Sequence, residues 1–276
     1  MPDQELPHIS PSQLDQYDKC QQQWYFRRTL GPMPPGIALI KGVATHKAAE
    51  HNYRAKLESG EDLPVDVLKD VAATEFSGRL MAEGVTLHPE EQAKGKDVVI
   101  GQAKDSAVRL TEVYRYEVAP EVQPAIVEET VRIEIPRSNI ALVGRIDVAT
   151  TDGTIAELKT SGKRWNQDAA DNLLQLSWYG MAYRHKTGNE PSGYRIDVLV
   201  DLVKGPIRQP LTTTRTTRDL EVLLARINAM TAAMKTGVLT PAPMGAWWCS
   251  TKWCGFAHIC PFYNADRKAA AEANDA

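Results

Sequence analysis

Gly144-Arg145-Ile146-Asp147-Val148-Ala149-Thr150-Thr151-Asp152-Gly153-Thr154-Ile155-Ala156-Glu157-Leu158-Lys159-Thr160 is the stretch on which the reading of this chain turns. Thr151-Asp152-Gly153 suits a three-residue hairpin loop with glycine at the left-handed position, and polar and apolar residues alternate on either side. With Thr150 opposite Thr154, Asp147 faces Glu157 and Arg145 faces Lys159. Side chains alternate along a strand, so Asp147, Glu157 and Lys159 share one face; Ile146, Val148, Ala156 and Leu158 share the other. Two opposed carboxylates repel unless a cation lies between them. Mg²⁺ or Mn²⁺ takes oxygen ligands and fits there, and Lys159 can hold a water or stabilise negative charge on a phosphate. On this stretch alone, a solvated hairpin face with unremarkable charges is the alternative.

Composition sets the limits. A chain of 276 residues with 43% hydrophobic content can bury a sizeable core as one large domain or two small ones. The net charge of -3 gives no global pull toward nucleic acid, so such a partner must be held by local basic groups. No apolar run approaches membrane-spanning length, and Met1 to Pro11 is polar and proline-containing, unlike a signal peptide. The expected setting is the cytoplasm, with no membrane partner. In a reducing compartment four cysteines bind metal or stay free.

Ser10-Pro11-Ser12-Gln13 marks a helix start, with Leu14, Tyr17 and then Cys20 directed inward. Trp24, Tyr25 and Phe26 beside Arg27 and Arg28 form either a base-stacking patch or buried aromatics with a basic edge. After the breakers of 31–36, a helix over 38–58 carries Gly42 and His46 on one face. Helices follow over 65–83, marked by Val67, Val71 and Leu80, and over 90–118, marked by Val108, Val113 and Tyr116. The period then changes to two: strands over 126–135 and 141–150 pair, and the central hairpin follows. A helix over 168–186 places Gln175 and Tyr179 on one face. A strand over 193–203, a Thr-rich edge strand over 208–214 and an amphipathic helix over 217–236 complete the order. Helices packed on a contiguous sheet make this an α/β (α+β) protein. The expected divisions of one domain are a helical part to 122, a sheet-and-helix part over 123–237, a cysteine segment over 238–265 and a frayed tail over 266–276.

Cys249, Cys254 and Cys260 cluster near the C-terminus, and Cys20 lies at the other end of the chain. Structural zinc usually takes two local pairs, which a three-plus-one arrangement fits poorly. Four thiolates can instead hold a [4Fe–4S] cluster, and Cys260-Pro261 matches a pattern of ferredoxin runs. Such a cluster would clip the two ends of the chain together. Zinc with His258 as substitute ligand, or four unrelated thiols, stay open on spacing alone.

Taken in order, these pieces resemble the RecB-type branch of the PD-(D/E)XK nuclease superfamily. The likeness is to its iron–sulphur members, which include CRISPR-associated exonucleases and small phage-encoded relatives. It spans Ile9-Ser10-Pro11-Ser12-Gln13-Leu14 with Cys20, Gly42 to His46, Gly144-Arg145-Ile146-Asp147, Glu157-Leu158-Lys159, Gln175 to Tyr179 and the terminal cysteines. Ile146 stands where the superfamily has its eponymous proline, and Cys249 and Cys254 are more widely spaced than is common in the branch. The resemblance implies a restriction-endonuclease-like core with a mixed sheet. It makes His46, Asp147, Glu157 and the Leu158 carbonyl metal ligands and Lys159 the catalytic lysine. Gln175 and Tyr179 become supports that contact DNA. It further implies a cluster on Cys20, Cys249, Cys254 and Cys260. The expected activity is metal-dependent exonucleolytic cleavage of DNA with free, single-stranded ends, in recombination, replication or repair, with recombination or CRISPR-adaptation proteins as partners. No Gly-x-x-x-x-Gly-Lys-[Ser/Thr] stretch occurs, so no P-loop motor is expected. The competing expectations are a non-catalytic iron–sulphur DNA-binding subunit and a zinc-stapled scaffold.

Overall fold

The computed structural model describes residues 7–135 and 139–264; the expected tail over 266–276 lies outside them. Described residues up to Pro11 group with Pro34–Ala225 in one compact unit, and Ser12–Met33 group with those from Arg226 onward in a second.

The first unit is built on a mixed six-stranded sheet: β1 (His8–Ile9), β2 (Pro124–Ile135), β3 (Ile140–Thr150), β4 (Thr154–Ser161), β5 (Gly193–Leu202) and β6 (Gly205–Thr213). Antiparallel β2 runs the length of β3 on one edge. Parallel β1, which the sequence pattern does not announce, pairs with β3 at Ala141 and Leu142. The central hairpin closes as expected, with Gly153 at φ +83° and Val148 opposite Ala156. Its ladder, however, contains only two pairs, Val148–Ala156 and Ala149–Ile155. On its other edge β4 is a parallel partner of β5 along its whole length, pairing Glu157 with Ile196 and Lys159 with Val198. Arg145 therefore does not face Lys159; it pairs with Thr130 of β2.

Ile146, Val148, Ala156 and Leu158 are buried, as the alternation requires. Val148, Ala156 and Leu158 share a core with Ala48, Ala49 and Tyr53 of α3 (Ile37–Ser59), Leu68 and Ala72 of α4 (Val65–Glu83) and Leu110 of α6 (Lys96–Val113). The buried residues of α4 are Leu68, Ala72 and Phe76; of those read from sequence, Val71 and Leu80 pack at the margin of the core and Val67 is exposed. The expected helix over 90–118 is interrupted. A short α5 (Pro89–Ala93) ends before Gly95, whose φ of +91° breaks the run, and α6 starts there. A π-helical turn over Tyr114–Val118 then rotates the last residues, burying Tyr114 and leaving Tyr116 exposed.

The parallel β4–β5 pair requires a crossover, supplied by α7 (Gln167–Asp171) and α8 (Leu174–Thr187). These replace the single helix expected over 168–186. The Asn172 side chain donates to the Asp168 carbonyl and Leu173 turns extended, which ends the first helix. Trp178 of α8 lies where a Cβ on Gly144 would stand, 2.2 Å from its Nε1, so only glycine admits α8 this close to β3. Strand β5 is interior to the sheet, and Tyr194 and Ile196 to Val200 are buried. Strand β6 starts earlier than expected because a two-residue turn at 203–204 returns the chain. As an edge strand it accommodates Pro206 and Pro210.

In the second unit, α1 (Pro11–Lys19) buries Leu14 and Tyr17 as expected. Cys20 does not continue that inward stripe: the helix stops at Lys19, and half-buried Cys20 caps α2 (Gln21–Leu30), its Sγ accepting from Gln23 N at 3.4 Å. Trp24 is core, with the Arg28 guanidinium over its ring, so the bland reading of that aromatic is the observed one. The C-terminal segment returns to these helices. Gln22 donates to the Leu239 carbonyl, Gln21 accepts from Thr240 N, and the Trp248 indole donates to the Lys19 carbonyl. Helix α9 (Thr217–Thr236), whose residues from Arg226 onward belong to this unit, buries Leu223, Ile227 and Met230.

Candidate active site

Every site residue named on the central hairpin, α3 and α8 meets at one place in the first unit. Glu157 is 2% exposed, with Lys159 Nζ 2.6 Å from its Oε1. Lys159 also donates to Gln175 Oε1 at 2.7 Å; Gln175 Nε2 donates to Tyr179 Oη at 2.5 Å; and Tyr179 Oη donates to Asp147 Oδ1 at 3.2 Å. The spacing of Gln175 and Tyr179, one turn of α8, thus links the lysine of β4 to the aspartate of β3. His46 approaches from α3: its Nδ1 lies 3.7 Å from Asp147 Oδ2, and its ring donates to the Leu158 carbonyl. Gly42, one turn earlier, passes directly over Thr160 of β4, which lets α3 come this near.

The electrostatics follow from burial. Desolvation first, and the Asp147 charge second, raise the Glu157 carboxyl far above the ordinary range, against the pull of Lys159. No donor satisfies Glu157 Oε2. Burial likewise holds His46 below the usual imidazole range, although Asp147 pulls it up, so the ring stays neutral, the form that ligates metal.

Three further carboxylates line the same cavity: Glu50, Glu128 and Asp197, the last held by Arg195 and Arg208. Glu50 follows His46 by four residues on α3, a spacing that was available in the sequence. Glu128 belongs to the β2–β3 pairing: Val127 pairs with Val148 and Glu129 with Ile146, which sets Glu128 across from Asp147. It adopts φ +51°, and Arg145 Nε lies 2.5 Å from its Oε2. Burial, then the charge of Asp147, pushes its carboxyl up to about 7. Nothing local in the sequence signals Glu128; only the long β2–β3 register brings it in.

Paired carboxylates, a neutral imidazole and a main-chain carbonyl, together with a buried oxygen that meets no donor, suit Mg²⁺ or Mn²⁺. Among the described residues no three His, Cys, Asp or Glu side chains form a ready-made ligand cluster. The donors surround the cavity without having closed on one point.

A sheet with this order, and a cavity built from the end of its central hairpin, invite comparison with known proteins. The profile of the PD-(D/E)XK nuclease superfamily matches residues 8–261. The chain belongs to the PD-(D/E)XK nuclease superfamily. Nucleases of this superfamily generally use Mg²⁺ or Mn²⁺ and act on DNA. Among solved structures, a "putative exonuclease" from Eubacterium rectale aligns at 13% identity and TM-score 0.50, covering 88% of this chain and 86% of its own. The crystal structure of SSO0001 aligns at 12% identity and TM-score 0.42, covering 96% and 90%. No curated protein matches the sequence. No described helix is long and apolar enough to cross a membrane.

The four cysteines belong to the second unit. None of them forms a disulfide, and all four line one cavity there, beside Phe26, Trp248 and Phe256. Burial raises the Cys254 thiol, and Cys20 and Cys249 are near enough to add to the shift. Four thiols are the donor type a cubane cluster takes, but no three of them stand as a ready-made ligand group among the described residues. His258 does not line this cavity.

Proposed function

We propose that this nuclease is a metal-dependent DNA exonuclease acting on single-stranded ends, of the RecB-type iron–sulphur branch. One observation carries the reading: His46, Asp147, Glu157 and the Leu158 carbonyl border a single cavity, with Lys159 held beside Glu157. A divalent ion bound there would make a water nucleophilic and neutralise charge on the phosphate. The protein's own groups do the positioning. Gln175 and Glu157 fix the Lys159 ammonium where it can meet a phosphate oxygen or an attacking water. Tyr179 orients Asp147, and burial of Glu157 keeps bulk solvent from its oxygens. The name of the E. rectale neighbour, which shares the fold, points to the same reaction.

Cys20, Cys249, Cys254 and Cys260 would hold a [4Fe–4S] cluster as four thiolates, and the cluster would supply a crosslink between the ends of the chain. On this account the whole of 1–276 serves one nuclease in the cytoplasm, in recombination, replication or repair. Digestion of end-labelled single- and double-stranded DNA with and without Mn²⁺ tests the activity. Iron and sulphide analysis of anaerobically purified protein tests the cluster.

A further inference from the structure

The second unit exposes two tryptophan side chains. Trp247 is 63% exposed and Trp253 48%, whereas Trp24 is 5% exposed and Trp178 1%. The two exposed indoles lock edge to face at a centroid distance of 5.2 Å and an angle of 83°, and Trp248 stands against Trp247 at 5.7 Å. The Lys252 ammonium lies 5.5 Å from the Trp253 ring centre. Rings held in fixed orientation at the surface lose little freedom when a flat ligand stacks on them.

The charge of this unit is opposite to that of the chain. Residues 12–33 and 226–264 hold six Lys and Arg against two carboxylates, a surplus of four, whereas the whole chain carries -3. No carboxylate side chain occurs anywhere in 226–264. Asp15 pairs with Lys19 and Asp18 with Arg226, each at 2.7 Å; residues 265–276 add Asp266, Glu272 and Asp275 against Arg267 and Lys268, so the unit as a whole keeps a surplus of three. An apolar protein partner would not call for this surplus; an anionic one with flat apolar faces would. Single-stranded nucleic acid is that partner, because its bases are free to stack and its phosphates meet the cations. A duplex hides its base faces and cannot use the rings.

We infer that Trp247 and Trp253, with Lys252, form a stacking platform for single-stranded DNA, a binding surface additional to the nuclease cavity. The choice of DNA rests on the nuclease reading; the single-stranded preference rests on the rings.

The test is a titration of labelled thymidine oligomer by the full-length protein in EDTA, read by fluorescence anisotropy and by quenching of intrinsic tryptophan emission. Trp247→Ala/Trp253→Ala should bind about tenfold or more weakly, in line with the stacking of one base per ring. Lys252→Glu should weaken binding and flatten its salt dependence, and duplex should compete poorly against the oligomer. Circular dichroism melting of each variant checks that it is folded, and quenching in the wild type provides a readout independent of any variant. A folded double variant that binds like the wild type, or a wild type that shows neither binding nor quenching, overturns the platform even if the protein cuts DNA. Tryptophan-dependent binding by a protein that cuts nothing upholds the platform and overturns the nuclease reading instead.

Discussion

Tyr179 donates its hydroxyl hydrogen to Asp147 across the gap between α8 and β3, while accepting one from Gln175, which holds Lys159. The tyrosine is therefore a positioning residue between the aspartate and the lysine. Tyr179→Phe keeps the ring and removes one hydrogen bond of about 0.5–1.5 kcal/mol, so cleavage should slow by up to about tenfold. Steady-state kinetics on a labelled oligonucleotide should show the loss in kcat with little change in KM. A change confined to KM would contradict the positioning role.

Metal-free stability should fall as pH rises. Glu157 and Glu128 are both raised, so the folded protein holds protons that the unfolded chain releases near pH 4 to 5. The stabilisation of their protonated forms is complete below that range and is lost as pH rises, for Glu128 through about 7. A divalent ion replaces those protons, so the gain in Tm on adding Mn²⁺ should grow from pH 5 to pH 8. Thermal melts across pH with and without Mn²⁺ measure this; a gain independent of pH would argue against metal at these carboxylates. Glu157→Gln should reduce both the fall and the gain.

Gly144→Ala tests the seat of α8. The new methyl would stand 2.2 Å from the Trp178 indole, which is 1% exposed and has nowhere to move. Overpacking of this kind costs about 1–3 kcal/mol, and each kcal/mol lowers Tm by about 2–4 °C in a domain of this size. Because α8 carries Gln175 and Tyr179, cleavage should fall as well. Gly162→Ala, with nothing within 4 Å of its Cβ, is the control and should change neither.

Cys20→Ala separates the thiol cavity from the chemistry. If a cluster joins α2 to the C-terminal segment, the variant should lose iron, melt earlier and express poorly, with cleavage falling in proportion to the folded fraction. Iron content, Tm and Mn²⁺-dependent cleavage measured on the same preparation decide it. An iron-free protein that melts like the wild type but cannot cut would assign the cluster to substrate handling.

Local pattern carried much of this site. The turn at Gly153, the register of Val148 against Ala156 and the 175/179 spacing are all encoded within a few residues, and they assemble the cavity as read. What the sequence did not disclose depends on long-range pairing. The central hairpin is a ladder of only two pairs, and Glu128 reaches the site only through the β2–β3 register. Helix breaks at Gly95 and Leu173 were hidden by continuous apolar spacing on either side. Cys20 looked like part of a helical stripe because side-chain capping through sulphur leaves no periodic trace.

The central claim is that Asp147 is part of a metal-dependent phosphodiesterase centre. The most direct measurement is the rate at which Asp147→Ala and wild-type protein degrade end-labelled single-stranded DNA in Mn²⁺ and in EDTA, with Tm recorded for both. The account predicts cleavage by the wild type in Mn²⁺ only, none by the variant, and a metal-free variant at least as stable as the wild type because a carboxylate facing Glu157 has been removed. Cleavage by Asp147→Ala at the wild-type rate, or wild-type cleavage unaffected by EDTA, would contradict it.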